Sequence, residues 1–442
     1  MSKLALRIFI LYSILFTSQK ILDIFLGNLA SATKVILIVI LWIIVFGLYW
    51  NKLTKKERRL TDKCLILLTL MLFIVSILSF FIDQIPILVI GYATLSYLSF
   101  YPLIYLIIYL KRKQIFFKKV LLFSIILYSV ISIGIIYDAL GGLTKIPLIG
   151  ERLVALEEKN QKTSIYKYRG EQRRGSFLME SSTIVFPVLS ISFLAITVLD
   201  TSSKKKKYQI FITSLITAII VWIGCFFSLS RTPLLLVSAM IFYFFARSAY
   251  LGTTKKFLRQ ITFISLIVGL LIVSTQIQSY LYQQIDQSAV NAFNSGISTE
   301  DIANKKRFQA WGRGLQLFTD SEARFGYGIG TSRLGLEEYL GSKARYHYES
   351  SLLSSFSEAG ILGILIEILP LLVVIYVVFK HRANKIFLVW AFLFIINLFV
   401  APITAYSTMF SRYLGMGLCI ASIIPTRQQY KQLRQIKVIN YQ

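Results

Sequence analysis

Cysteine, histidine and charged residues are all scarce in this chain of 442 residues, and each scarcity removes a class of function. Its three cysteines, Cys64, Cys225 and Cys419, fall at or within apolar runs, which excludes a disulfide framework and any cysteine spacing suited to a metal. Two histidines, His347 and His381, are too few for a histidine-rich metal centre, so no metal site and no cofactor are expected. Charged residues make up 16% of the chain and hydrophobic ones 56%, far from the mix of a soluble globular domain. Tandem repeats and low-complexity linkers are absent. Acids are outnumbered, 21 against 48 Lys and Arg, for a net charge of +27. Such a balance ordinarily points to nucleic acid; here its placement argues against a nucleic-acid partner.

What the chain has in place of charge is apolar runs. Taking runs of about 17–25 residues as membrane-crossing helices gives about twelve candidates. They are Leu4–Leu26, Val35–Trp50, Leu65–Ile82, Pro86–Leu110, Val120–Leu143, Phe177–Leu199, Ile210–Leu229, Thr232–Tyr250, Phe257–Leu281, Leu352–Phe379, Ile386–Ile403 and Met409–Pro425. Met1–Arg7 followed by a long apolar run reads as a retained first span with no cleavable signal. The expected fold is all-α: one polytopic integral membrane domain over 1–442, with long hydrophilic loops at 144–176 and 282–351.

Charge then orients the spans. With the N-terminus in the cytoplasm, the cytoplasmic segments carry 28 basic residues against three acids, and the two long loops carry 16 against 12. Short loops on the opposite side, Gly27–Thr33, Asp83–Ile85, Ser228–Arg231 and Pro402–Thr408, are poor in basic residues. This is the positive-inside bias, so the basic excess encodes topology. Both termini are expected in the cytoplasm and both long loops outside. Lys204–Lys207 reads as a topology anchor.

The second long loop has internal pattern. Phe308, Trp311, Leu315 and Phe318 recur at helical spacing near 305–318, as in a helix lying in the membrane interface or packed on the spans. Gly326-Tyr327-Gly328-Ile329-Gly330 follows, either a site of close backbone approach to a ligand or anion, or a tight turn.

Ionisable groups at a membrane edge are costly, which makes them informative. Arg231 lies at an outer junction of two spans, in Ser228-Leu229-Ser230-Arg231-Thr232-Pro233, and Arg412 lies just inside the last span. Arg173 and Arg174 end the first long loop, while Arg307 and Arg313 lie in the interfacial segment. Guanidiniums gathered at one depth suit a diphosphate, because each binds phosphate oxygens bidentately and keeps its charge. Glu180 and Glu358 lie one and two turns into their spans, where ion pairing with these arginines is the plain structural reading. His347 and Glu349 stand at the re-entry of the long loop, and either fits a general base.

Several of these segments, in this order, carry a resemblance. Arg174-Gly175-Ser176-Phe177 with Glu180-Ser181, Ser228-Leu229-Ser230-Arg231, Arg307 with Trp311, the glycine-rich Gly326–Gly330 and finally Gly360-Ile361-Leu362-Gly363 resemble the O-antigen polymerase/O-antigen ligase superfamily over roughly 173–363. The resemblance implies a glycosyltransferase at the outer face of a bacterial cytoplasmic membrane, using undecaprenyl-diphosphate-linked glycans without a metal. It also implies that Arg174, Arg231, Arg313 and Arg307 hold the donor diphosphate, that Glu349 or His347 is the catalytic base, and that Arg173, Glu180, Glu358 and Arg412 support them. Membrane lipids, a chain-length regulator and a flippase of the same pathway are the partners it implies. In the ligases a histidine stands eleven positions before the Gly-x-x-Gly, where this chain has Glu349, with His347 two positions earlier. Gly175–Ser181 instead resembles the Gly-x-Phe-x-Glu-Pro-Ser pattern of surface-polysaccharide polymerases. The expectation is therefore a polymerase of O-antigen, capsule or exopolysaccharide, with a ligase as the near alternative. A lipid-linked-sugar flippase or secondary transporter is the alternative of another class.

Overall fold

The computed structural model describes residues 2–17, 29–112, 114–140, 142, 145–147, 168–169, 172–173, 216–217, 219–224, 309, 312–313, 316–317, 319, 325–332, 337–343, 351–380 and 409–423. Among these, helix dominates. The main elements are α1 (Ser2–Thr17), α2 (Leu29–Tyr49), α3 (Lys55–Phe81), α4 (Ile87–Leu98), α5 (Pro102–Arg112), α6 (Gln114–Ala139), α7 (Ser351–Lys380) and α8 (Met409–Ile423). Among the described residues four stretches are long and apolar enough to cross a membrane: Glu57–Phe81, Ile87–Arg112, Lys118–Ala139 and Ser351–Val377. A shorter apolar helix covers Ile36–Lys52. The expected spans Phe177–Leu199, Thr232–Tyr250, Phe257–Leu281 and Ile386–Ile403 lie outside the described residues, as does most of Ile210–Leu229.

The chain divides into two compact units. In the first, which holds the described residues up to Tyr128 and from Gln309 onward, α5 is the hub. Its Leu103, Ile104, Leu106, Ile107 and Ile108 are fully buried, as expected of a helix apolar on every side, and α1, α2, α3 and α8 pack around it. Pro102 opens it, where the missing N–H costs nothing. Tyr101 and Tyr105 anchor it to α3 by donating to the Thr61 carbonyl (2.7 Å) and to Asp62 Oδ1 (2.8 Å). Outward, α3 shows Ile66, Phe73 and Phe81, each more than half exposed. In water such a face is an aggregation liability; against lipid tails it is the expected surface.

The two ends of α3 differ in chemistry. Its start is a capping box, in which Thr54 and Glu57 satisfy each other's backbone amides. There Arg112, from the end of α5, makes a two-pronged ion pair with Glu57 and donates to the Lys52 carbonyl at 2.6 Å. Arg58 stacks on Trp50, whose indole N–H donates to Asp62 Oδ1 at 3.1 Å. The other end of α3 turns sharply through Asp83–Ile85, with Gln84 at φ 52°, and Lys343 donates to the Asp83 and Gln84 carbonyls at 2.9 and 2.7 Å. The basic-rich 52–63 segment and Lys343 of the second long loop thus lie at opposite ends of one helix.

The second unit holds described residues between Ser129 and Gly224. Close helix contact marks it, since a Cβ on Gly224 would stand 2.7 Å from that of Ser132. Asp138 is fully buried near the end of α6. In the first long loop Tyr168 pairs with Arg173 and Arg169 with Gln172 in a two-strand antiparallel bridge.

Candidate functional site

The expected span Leu352–Phe379 is present in the structure, with an internal feature that the sequence reading did not foresee. Its residues form α7, but α7 is two helices joined at a sharp reversal. Ala359 (φ −138°, ψ 15°) and Gly360 (φ 56°, ψ −138°) leave helical geometry. In a straight helix Ser355 and Gly363 would be about 12 Å apart along the axis, and Ser355 and Glu367 about 18 Å. Here a Cβ on Gly363 would meet the Ser355 carbonyl oxygen at 1.8 Å, and Ser355 Oγ donates to Glu367 Oε2 at 3.4 Å. The first arm, 351–358, therefore folds back along the second, and only the second is long enough to cross a bilayer. Both outer members of Gly360-Ile361-Leu362-Gly363 have a physical role: Gly360 makes the reversal, and Gly363 lets the arms touch.

A reversal inside an apolar bundle leaves carbonyls without helical partners, and such groups need donors. The glycine-rich segment of the second long loop supplies them. Tyr327 N–H donates to the Ser357 carbonyl at 2.8 Å and Gly328 N–H to the Glu358 carbonyl at 3.0 Å. The next amide, of Ile329, donates to Ser79 Oγ at 2.8 Å, near the end of α3. Gly326 sits at φ +86°, and a Cβ there would stand 2.5 Å from backbone atoms of Glu358 and Ala359. Three successive amides thus turn to protein acceptors. The close approach that Gly326 permits is to the chain's own backbone, in a tight turn, and Gly328 makes room for the side chains of Ile85 and Asp83.

Around the reversal lies a buried polar cluster. Ser332 Oγ donates to Ser357 Oγ at 3.1 Å. Glu358, 2% exposed, has its Oε2 3.5 Å from the Tyr97 hydroxyl, which also stands 3.2 Å from Ser355 Oγ. Glu367, 4% exposed, takes the Ser355 hydroxyl. The plain reading of Glu358 named arginines as its partners; the structure adds the tyrosine hydroxyl. Ser351, also buried, begins the first arm.

The expected site residues divide accordingly. Glu358 is in the cluster. Arg313 is exposed and helical, as are Gln309, Gly312 and Gln316, in keeping with a helix in the interfacial segment. The Arg173 backbone lies in the two-strand bridge and Arg412 in the first turn of α8. Arg174, Glu180, Arg231, Arg307, His347 and Glu349 lie outside the described residues. Tyr97, Ser355 and Glu367 escaped the sequence reading. Glu367 carried a usable signal, a carboxylate well inside an apolar run. Tyr97 carried none, because 258 residues separate it from Ser355.

No curated protein matches the chain. Residues 216–368 match the family model described as O-antigen ligase (Wzy_C), a segment that holds Arg231, Arg307, Arg313, His347, Glu349, Glu358 and the whole reversal of α7. Over that segment this membrane-embedded chain is similar to the O-antigen polymerase/ligase superfamily.

Proposed function

We propose that the protein is a membrane glycosyltransferase that polymerises undecaprenyl-diphosphate-linked oligosaccharide repeat units into a surface polysaccharide at the outer face of a bacterial cytoplasmic membrane. The family match carries the reading, because it covers six of the ten candidate residues. The polymerase branch rests on the Gly175–Ser181 pattern and on Glu349 standing where ligases have histidine.

The reaction is an inverting displacement. The acceptor hydroxyl of one repeat unit attacks the anomeric carbon of another; the bond from that carbon to the diphosphate oxygen breaks, and undecaprenyl diphosphate leaves. Arg174, Arg231, Arg307 and Arg313 meet the charge that builds on the leaving group. Glu349 or His347 takes the acceptor proton. Arg173, Glu180, Glu358 and Arg412 hold this set in place. Because the guanidiniums neutralise the diphosphate, the step calls for no divalent ion.

A ligase reading has one observation in its favour, the description of the matched family. Analysis of lipid-linked products in membranes separates the two: a ladder of lengths on undecaprenyl diphosphate marks a polymerase, transfer of preformed chains a ligase. Arg231→Ala and Glu349→Gln are expected to abolish the ladder while the protein stays in the membrane. Unchanged polymer in both variants would refute the catalytic reading and favour a flippase or transporter.

A further inference from the structure

Tyr97 belongs to α4, far outside the matched segment 216–368, yet it touches the reversal of α7 at its centre. It is 5% exposed, and the buried hydroxyl stands between Ser355 Oγ (3.2 Å) and Glu358 Oε2 (3.5 Å). Ser355 Oγ donates to Glu367 Oε2 on the second arm at 3.4 Å, so the single Tyr97 proton is shared between Ser355 Oγ and Glu358 Oε2. At the other end, the Tyr97 carbonyl accepts from the Tyr413 hydroxyl of α8 at 2.7 Å. One line of hydrogen bonds thus joins α8, α4 and both arms of α7.

Two of the groups on that line are buried carboxylates, so the hydroxyls are not decoration. In an apolar bundle a carboxylate side chain is stable only where donors are fixed around it. Tyr97 is a stiff donor with two side-chain torsions, held at its backbone by Tyr413. The first arm it grips is only eight residues long and is entered directly from the segment with His347 and Glu349. In sequence Glu349 stands two residues before that arm and His347 four, so the arm is tied to both through a short length of chain.

We infer that Tyr97 is a positioning residue of the transferase, its hydroxyl fixing the first arm of α7 and with it the general base. This rests on the glycosyl-transfer reading above. The donor diphosphate is held elsewhere, by arginines, so the consequence is specific: losing the hydroxyl slows turnover and leaves donor binding alone.

The test uses the full chain purified in detergent, as wild type, Tyr97→Phe, Ser355→Ala and the double variant. Tyr97→Phe keeps the ring and removes one oxygen. The expected result is a kcat lower by about tenfold with the donor KM within about twofold, since small misplacements of a reacting group act on turnover. The double variant is expected to be no slower than the slower single one. Independently of any reaction, amide exchange over 352–358 is expected to accelerate in Tyr97→Phe more than exchange over α5, and any fall in melting temperature is expected to come with the loss of turnover. Unchanged exchange overturns the inference whatever the enzyme does. An unchanged kcat, a loss carried by KM, or a drop in melting temperature with normal turnover per folded molecule overturns it too, the last by showing a merely structural role. If wild type neither polymerises nor ligates, the glycosyl-transfer reading fails and the positioning role with it, while the exchange arm still reports whether the hydroxyl holds the hairpin.

Discussion

Gly363→Ala is the substitution whose sign separates a folded-back α7 from a straight one. In a straight helix an added methyl at a glycine stabilises, by about 0.5–1 kcal/mol, because alanine loses less backbone freedom. In the structure the new Cβ would stand 1.8 Å from the Ser355 carbonyl oxygen and 2.5 Å from its carbon, both backbone atoms that no rotamer change can move. An ordinary carbon–oxygen contact is about 3.3 Å, so the arms must part by about 1.5 Å. Overpacking of this kind costs about 1–3 kcal/mol, and here it also strains the Ser355–Glu367 bond. Two lipid-side glycines serve as controls, Gly47 in α2 and Gly91 in α4, where an added Cβ meets nothing within 4 Å. Thermal unfolding of the purified protein should therefore rise slightly for Gly47→Ala and Gly91→Ala and fall for Gly363→Ala. Polymer made in cells should follow the same order. A Gly363→Ala protein that melts at or above wild type and makes full-length polymer would refute the reversal and everything built on it.

Further outcomes follow from other contacts. Ser79→Ala removes the acceptor of the Ile329 amide inside a buried turn and is expected to cost about 1–3 kcal/mol in unfolding experiments, with faster exchange over 326–332. Arg112→Met leaves the Glu57 carboxylate, 9% exposed, without its guanidinium; up to about 3–5 kcal/mol should be lost in thermal unfolding, with turnover per folded molecule unchanged. Lys343→Ala frees two carbonyls at the partly exposed turn after α3, which water can reach; less than about 1 kcal/mol should be lost, visible mainly as quicker proteolysis near 337–343.

The sequence reading went furthest where the physics is local. Pro86–Leu110 was legible as apolar, and the structure fills it with α4 and α5, split at Ser99–Tyr101. The capping box at Thr54 and Glu57 likewise depends on residues three apart. Reading stopped at Leu352–Phe379, because hydropathy averaged along a window is blind to a reversal inside it. Gly360 and Gly363 marked the place only through a resemblance, with no mechanism attached. The Gly326–Gly330 segment was legible as special, yet its acceptors, Ser357, Glu358 and Ser79, lie too far along the chain for spacing to name them. For Tyr97 a buried tyrosine in an apolar helix looks like any other until Ser355 and Glu358 are seen beside it.

Membrane embedding and helical character are therefore properties of residue order alone, since apolar transfer adds up over short windows of chain. Where α7 doubles back, which amides cap its broken end, and which hydroxyls reach its carboxylates were decided only in three dimensions. Those choices depend on backbone conformations that glycine merely permits and on hydrogen bonds closed across some 250 residues, for which no linear pattern exists.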